Sequence, residues 1–416
     1  MSKARSLLFP LLAVACSASN AQWTQLPCDG ALDSARSHVL RLEGALLYNS
    51  NALFNELPGH LYMRRDLDRA LRQRTSDALA DRERSVFGYG YHGRLTWTGA
   101  RLKEGRSRWR PTASFALQEY AGARITPDLY DLVFFGNAPF EGSTAALAPA
   151  AYEQTRYSTL GIGVVDQRTR SYLRVDVVQG SSLTAVDVDW ADLYTGVDGR
   201  VLRSAVLASY LNSDTAGNDW ARNNGLGAAL SGRWETQIRS AARPTYLSVG
   251  VEDLGFVRWN ANSVRLDKDT VIRYEGLAVD NVLDLDAILI GEDQLLDTFG
   301  LRYRTGARTR LLPFRAQLAY RIEGRSGWHF GLVAQYQHLP SYLPQLTASL
   351  ARRVGVRGAW GASVSYGGYG GLLVGAGGRY RVGRRITLEA SVPQLIGFVG
   401  GRTRGLGALL AVQVAL

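Results

Sequence analysis

Long segments in which apolar residues alternate with small or polar ones are the feature that most limits how this chain can fold. Between residues 86 and 98, alternate positions hold large apolar side chains: Phe87, Tyr89, Tyr91, Leu95 and Trp97. Because side chains alternate across a strand, this segment has one apolar face. Strands of soluble proteins usually run about 5 or 6 residues, whereas a tilted membrane strand needs roughly 9 to 11. The pattern therefore predicts a membrane strand.

The same alternation recurs along the chain. The clearest later segments are 314–323, 330–337, 360–367, 372–382, 388–392 and 406–416. Fainter segments are 38–47, 110–120, 157–166, 171–178, 183–190, 202–210, 225–234, 246–260 and 263–275. We predict an all-β fold, a transmembrane antiparallel β-barrel of about fourteen strands. The last strand is expected to pair with the first, because hydrocarbon cannot hydrate a free sheet edge.

The second face of these strands is polar and is expected to line a lumen. The candidate lumen-lining residues are His92, Arg94, Arg315, Gln317, Arg321, Glu323, Arg379 and Arg381. Two interpretations remain open at this stage. Inward arginines create a positive lumen that attracts anionic or amphipathic solutes, or they pair with inward acids such as Glu323 and Glu389.

The first 21 residues have the features of a cleaved signal peptide. Lys3 and Arg5 precede a short apolar stretch, and small residues stand before Gln22. A lipoprotein alternative rests on Cys16, which follows small residues. Cleavage leaves Cys28 as the one cysteine, so no internal disulfide is expected. No apolar run reaches the roughly 20 residues of a membrane-spanning helix. The prediction is one barrel domain, residues 22–416, in the outer membrane of a Gram-negative bacterium.

Helical patterns interrupt the strands at three places, 66–79, 126–135 and 279–299. Asp66 is the expected N-cap of the first, and Thr126-Pro127 begins the second. All three are too polar to span a bilayer. Plugging the lumen, covering a barrel mouth, lying at the membrane interface, docking a partner and forming ordinary loop helices all remain open.

Charge and motifs argue against several other classes of protein. The net charge of +11 comes from 48 basic and 37 acidic residues, with no basic block or zinc-finger spacing, so nucleic acid is not an expected partner. The five histidines lack metal-ligand spacing, and no nucleophile elbow or phosphate loop occurs. Asp187, Asp189 and Asp192 lack a calcium-loop pattern. We expect no catalysis, no cofactor and no bound metal.

One region resembles a known family. Residues 251–260 read Val-Glu-Asp-Leu-Gly-Phe-Val-Arg-Trp-Asn, and a strand up to Glu275-Gly276-Leu277 and an acidic, apolar helix from Val279 follow. Together with residues 49–55 and the helix near Asp66, this looks like family 5723 of the domains of unknown function, over nearly the whole mature chain. Members are exported barrels that resemble FadL-type fatty-acid transporters and PorV-type secretion components.

That resemblance implies a fold and a compartment, and it carries no catalytic motif. Two functions remain. The first is a FadL-like transporter or channel for hydrophobic or amphipathic small molecules, with a hydrophobic or anionic ligand. The second is a non-enzymatic, PorV-like scaffold that binds a secreted or surface protein. Outer-membrane lipid is the expected surrounding in both.

Overall fold

The chain forms nineteen strands in a computed structural model that describes residues 38–274 and 304–416, apart from 83, 103–107, 167–168, 198–200, 215–216, 218, 240–242 and 399–402. The strands are β1 (Val39–Ser50), β2 (Ser85–Thr98), β3 (Trp109–Ile125), β4 (Thr144–Ala146), β5 (Ala150–Asp166), β6 (Ser171–Thr195), β7 (Leu202–Asn212), β8 (Gly225–Arg239), β9 (Thr245–Trp259), β10 (Val264–Tyr274), β11 (Arg304–Thr305), β12 (Arg308–Leu311), β13 (Arg315–Glu323), β14 (Trp328–Gln337), β15 (Leu343–Val354), β16 (Gly358–Gly368), β17 (Gly371–Val382), β18 (Ile386–Val392) and β19 (Gly405–Ala415). The predicted signal peptide, residues 1–21, and the predicted helix 279–299 lie outside the described residues.

Fourteen of these strands close into an antiparallel barrel. The ring runs β1, β2, β3, β5, β6, β8 and β9, then β13 to β19 in order. It closes where β19 pairs with β1, from Val39 opposite Ala415 to Asn49 opposite Gly405. The prediction of an antiparallel barrel of about fourteen strands, with its last strand against its first, is confirmed. Closure leaves the ring without a free edge.

The remaining strands extend the wall on one side. β6 is 25 residues long, and its two parts have different neighbours. Residues 172–180 pair with β8 inside the ring, while residues 184–195 pair with β7, which in turn pairs with β10. The prediction of a separate strand at 183–190 is therefore wrong, because this segment continues β6.

Two other strand assignments also need correction. Segments 202–210 and 263–275 do contain strands, β7 and β10, but these lie outside the closed ring. β15 was not predicted, although it pairs with both β14 and β16. Its alternation is interrupted by Pro344 at one end and by Arg352 and Arg353 at the other, which weakens the strand pattern.

The two ends of the barrel differ. Connections of three to five residues join β5 to β6, β8 to β9, β13 to β14, β15 to β16, and β17 to β18, and one of ten residues joins β2 to β3, at the end where Val39 and Ala415 also meet. We call this the turn end. The opposite end, the loop end, carries the α-helices of the described residues and the extended strands β7 and β10.

Three α-helices of the described ranges occupy the loop end: α1 (Glu56–Tyr62), α2 (Arg69–Ala80) and α3 (Pro127–Phe135). Asp68, rather than the expected Asp66, is the N-cap of α2, because its side chain accepts a hydrogen bond from Leu71 N at 2.6 Å. The helices share an apolar cluster of Ala52, Leu53, Leu57, Leu79 and Tyr130. Three short 3₁₀ turns cover Ala138–Phe140, Arg325–Gly327 and Leu395–Phe398. In the part of the chain that the structure describes, no helix has the length and apolarity needed to cross a bilayer.

The barrel wall is apolar outside and polar inside, the reverse of a soluble protein. Large apolar side chains stand exposed on many of the barrel strands, among them Phe115, Leu160, Ile162, Val175, Trp234, Leu318, Leu332, Leu346, Val364 and Leu388. The positions between them point inward and include buried charges, among them Arg94, Arg174, Asp176, Arg233, Glu235, Glu252, Arg315 and Arg321. Since charged residues are almost never fully buried unless paired, the interior must hold ion pairs.

Candidate functional site in the barrel interior

A β-bulge in β9 places two neighbouring acids inside the barrel. Leu230 of β8 pairs with Leu254, whereas Gly232 pairs with Val251, so one extra residue of β9 lies between these pairs. Within this bulge Asp253 has a φ of +56°, a backbone conformation that is uncommon for a residue other than glycine. The bulge changes which positions face inward. Glu252 and Asp253 consequently both point into the interior, where they are 7% and 2% exposed.

These two acids connect arginines from three other strands. Glu252 accepts hydrogen bonds from Arg315 Nη2 at 3.2 Å and from the Tyr172 hydroxyl at 3.1 Å. Arg94 Nη1 lies 3.8 Å from the same carboxylate. The second acid, Asp253, lies 3.8 Å from Arg174 Nη2. Residues 252 and 253 thus form the centre of a charged network that crosses the barrel.

Further ion pairs fill the interior toward the turn end. Arg321 Nη2 donates to Glu235 at 2.8 Å and Arg321 Nη1 donates to Glu323, while Arg233 Nη2 donates to Glu235 at 3.0 Å. A third group joins β1, β17 and β18: Arg41 reaches Glu389 at 2.8 Å, and Arg379 Nε lies 3.3 Å from the same glutamate. We call the buried ion pairs of these three groups the ion-pair layer.

An apolar layer lies on the loop-end side of the ion pairs. Its buried members come from both strands and loops: Val86, Tyr120, Tyr157, Val178, Leu183, Ala229, Val257, Trp259, Leu312, Leu339 and Tyr369. Trp259 is 1% exposed and Tyr157 is fully buried. The interior is therefore occupied by side chains in two successive layers, one apolar and one charged.

A small cavity remains where these two layers meet, because its wall contains members of both. Its lining includes Tyr89, Tyr120, Tyr342 and Tyr369, with Arg315 and His92 also in its wall. We call it the mouth pocket. Its volume is about 70 Å³, room for about five water molecules. The Tyr120 hydroxyl lies 3.2 Å from His92 Nδ1, and the Arg315 guanidinium lies over the Tyr120 ring at 5.5 Å.

Tyr369 covers this pocket from the β16–β17 turn. Its ring lies against Gly88 and Gly122, which pair with each other on β2 and β3. A Cβ at Gly122 would come within 1.9 Å of the Tyr369 hydroxyl oxygen, so glycine is required for this close approach. The hydroxyl donates to Pro340 O at 2.7 Å, and the ring packs edge-on against Tyr342 at 5.2 Å.

Burial sets the electrostatics of this cover. It raises the pKa of Tyr342 to about 12 and also raises the pKa of Tyr369. Both phenols are therefore neutral at physiological pH. The cover over the pocket is aromatic and uncharged.

The structure places the candidate lumen-lining residues at four locations. His92 and Arg315 line the mouth pocket. Arg94, Arg321, Glu323 and Arg379 belong to the ion-pair layer. Gln317 extends over Gly250 on the interior side of the wall, and Arg381 is half-buried near the turn end. Among the described residues, no three His, Cys, Asp or Glu side chains come together as metal ligands do.

Sequence reasoning missed Glu252, Asp253 and Tyr369. The two acids entered the sequence analysis only as part of the segment that carries the family resemblance. Tyr369 had a weak signal, since it stands in a turn between pairs of glycines, residues 367–371. Nothing local indicates that its ring reaches β2 and β3.

The fold and this interior define a closed antiparallel barrel with an apolar exterior and a filled interior. A family model described as a family of unknown function (DUF5723) matches residues 181–385, just under half of the chain. This stretch contains the Glu252–Asp253 bulge, and the match confirms the resemblance predicted from the sequence there. No curated protein matches the chain.

Several solved structures are distantly similar. The toluene transporter TodX of Pseudomonas putida is 10% identical, with 96% of this chain and 94% of that chain covered and a TM-score of 0.40. The toluene transporter TbuX of Ralstonia pickettii is 8% identical, covers 92% of each chain and has a TM-score of 0.40. The translocator domain of the autotransporter NalP from Neisseria meningitidis is 10% identical over 92% and 90%, with a TM-score of 0.32. The register of the fourteen strands, and not these distant likenesses, defines the fold.

Proposed function

We propose that this protein is an outer-membrane β-barrel that admits a small amphipathic molecule, an apolar body with one anionic group, through the mouth pocket. The membrane location is supported by the exposed apolar side chains on the barrel wall. In water such a surface would drive aggregation, whereas in a bilayer it is the expected exterior of a spanning barrel. Long connections with helices, such as 51–84 and 126–149, lie at the loop end, which matches the extracellular end of such a barrel, and the turn end matches the periplasmic end.

The class of ligand is inferred from the residues that line the mouth pocket. Tyrosine rings and Leu339 offer apolar surface, and Arg315 offers a planar donor fork that suits a carboxylate or phosphate. Two further donor groups lie on β2 and β3: Arg94 Nε and Nη2 and Gln118 Nε2 are buried and have no hydrogen-bond partner within the described part of the chain. Neither Arg94 nor Gln118 lines the mouth pocket, so Arg315 is the cation that would meet an anionic head group there.

Entry requires Tyr369 to move. A cavity of about 70 Å³ is less than half the roughly 150 Å³ of an engineered cavity that holds benzene. The cover is carried by a turn suited to movement, since Gly367, Gly368 and Gly371 all have positive φ values of 109°, 64° and 69°. Swinging Tyr369 away from Gly88 and Gly122 joins the pocket to the loop end.

Uptake of a labelled long-chain fatty acid into proteoliposomes tests this proposal. Arg315→Gln should weaken ligand binding by about 10- to 100-fold, since a hydrogen bond to a charged group contributes about 1.5–3 kcal/mol. Arg321→Gln is the matched control, because it also removes a buried arginine but lies outside the pocket. Absent uptake by the wild-type protein, or equal losses in the two variants, would refute the proposal.

A second candidate function is a scaffold that binds a secreted or surface protein, without catalysis in either case. It is favoured by the pairing of Arg321 with Glu323 and of Arg379 with Glu389, which leaves these arginines structural. The wall extension formed by β6, β7 and β10 supplies a surface for such a partner. Stable recovery of one protein partner, together with no fatty-acid uptake, would favour the scaffold.

A further inference from the structure

The positive charge of this chain is concentrated in its last quarter. Residues 324–416 contain ten arginines, no lysine and one acid, Glu389, a net charge of +9 out of +11 for the whole chain. Glu389 itself faces the interior, where it pairs with Arg41 and Arg379.

Five of these arginines lie together on two adjacent hairpins at the turn end. They are Arg352, Arg353, Arg357, Arg384 and Arg385, all exposed. The hairpins are joined where Arg381 N donates to Arg357 O at 2.8 Å. Within the described ranges, none of the five has a carboxylate oxygen within 4 Å. We call them the turn-end arginine cluster.

An outward-facing aromatic row accompanies this cluster. Arg352 pairs in register with Trp328 on β14 and with Trp360 on β16. Its guanidinium lies 5.1 Å from the Trp328 ring centre, and the two indoles are 6.3 Å apart, edge to face. Tyr380 on β17 is 54% exposed. Tryptophan and tyrosine mark the membrane–water interface of barrels, so the cluster is level with lipid head groups.

We infer that the turn-end arginine cluster binds the head groups of anionic phospholipids in the leaflet that surrounds the turn end. Arginine forks match phosphate oxygens, and clustered basic residues beside a membrane attract anionic lipid. The acyl chains of such a lipid lie against the exposed side chains that continue the same strands, including Leu350 and Val364. This inference rests on the membrane location proposed above but not on uptake through the mouth pocket.

Lipid retention measured by native mass spectrometry tests the inference on the full-length protein in detergent. The protein is offered equal amounts of phosphatidylglycerol and phosphatidylcholine. The wild-type protein should retain phosphatidylglycerol in preference, and the preference should fall about fivefold for each arginine removed. The test variant is Arg352→Gln/Arg384→Gln/Arg385→Gln. Its control, Arg64→Gln/Arg65→Gln/Arg69→Gln, removes the same charge from exposed sites at the loop end.

The outcomes separate the sources of phosphate. A preference that survives in the control but is lost in the test variant supports the inference. Equal retention of both lipids by the wild-type protein, or an unchanged preference in the test variant, overturns the inference. An acidic protein would then be the alternative partner of the cluster. Full displacement by inorganic phosphate at matched ionic strength also overturns it, because the site then takes free anions. If the triple variant fails to fold, Arg384→Gln alone is measured. Fatty-acid uptake has its own assay, so either proposal can fail separately.

Discussion

Removing the charge of Glu252 should destabilise the barrel more than any surface ion pair can. Glu252 is 7% exposed and lies 3.2 Å from Arg315 Nη2 and 3.8 Å from Arg94 Nη1. At an effective dielectric constant of about 20, each contact corresponds to roughly 4–5 kcal/mol of Coulomb attraction. Glu252→Gln loses both attractions but no longer desolvates a carboxylate, and breaking a buried pair typically costs about 3–5 kcal/mol.

A matched control exists on the surface of the same protein. Glu56 pairs with Arg74, and the two side chains are 35% and 33% exposed, respectively. Glu56→Gln should therefore lower the free energy of unfolding by at most about 1 kcal/mol. Urea unfolding of both variants in lipid vesicles, followed by tryptophan fluorescence, measures the difference. If Glu252→Gln costs no more than Glu56→Gln, the interior network is solvated and our reasoning about the ion-pair layer is refuted.

Three smaller changes test other parts of the structure. Gly122→Ala places a Cβ 1.9 Å from the Tyr369 hydroxyl, so the Tyr369 ring should be displaced from Gly88 and Gly122. Fatty-acid uptake should then be faster than in the wild type, and an unchanged rate would argue against Tyr369 as the cover. Gly255→Ala brings a Cβ within 2.1 Å of Ala228 O, and urea titration should show that the free energy of unfolding falls by about 1–3 kcal/mol. Ser50→Ala removes the hydroxyl that accepts hydrogen bonds from Leu53 N at 2.8 Å and Ala52 N at 3.1 Å. The same titration should show that the free energy of unfolding falls by about 1–3 kcal/mol.

The alternation of apolar and polar residues was sufficient to predict the barrel because the pattern is local. The orientation of a strand such as β13 can be predicted from its own sequence. One face carries Arg315, Gln317 and Arg321, and the other carries Leu318 and Tyr320. Pairing between distant strands is not local. The two parts of β6 read alike, yet one lies in the ring and the other in the extension.

The site was harder to predict than the fold for the same reason. The partner of Arg315, Glu252, lies on another strand, and it faces inward together with Asp253 because the chain bulges there. The cover depends on a match across the barrel between Tyr369 and the glycine pair on β2 and β3. Such contacts follow from the closed ring, which no single segment encodes.

Single-channel recording in planar bilayers tests the central claim, a membrane-spanning barrel whose interior is occupied by an apolar layer and an ion-pair layer. The account predicts that the wild-type protein inserts and shows no steady conductance. A persistent, ohmic current from the inserted wild-type protein would contradict it, because such a current requires a continuous water-filled lumen.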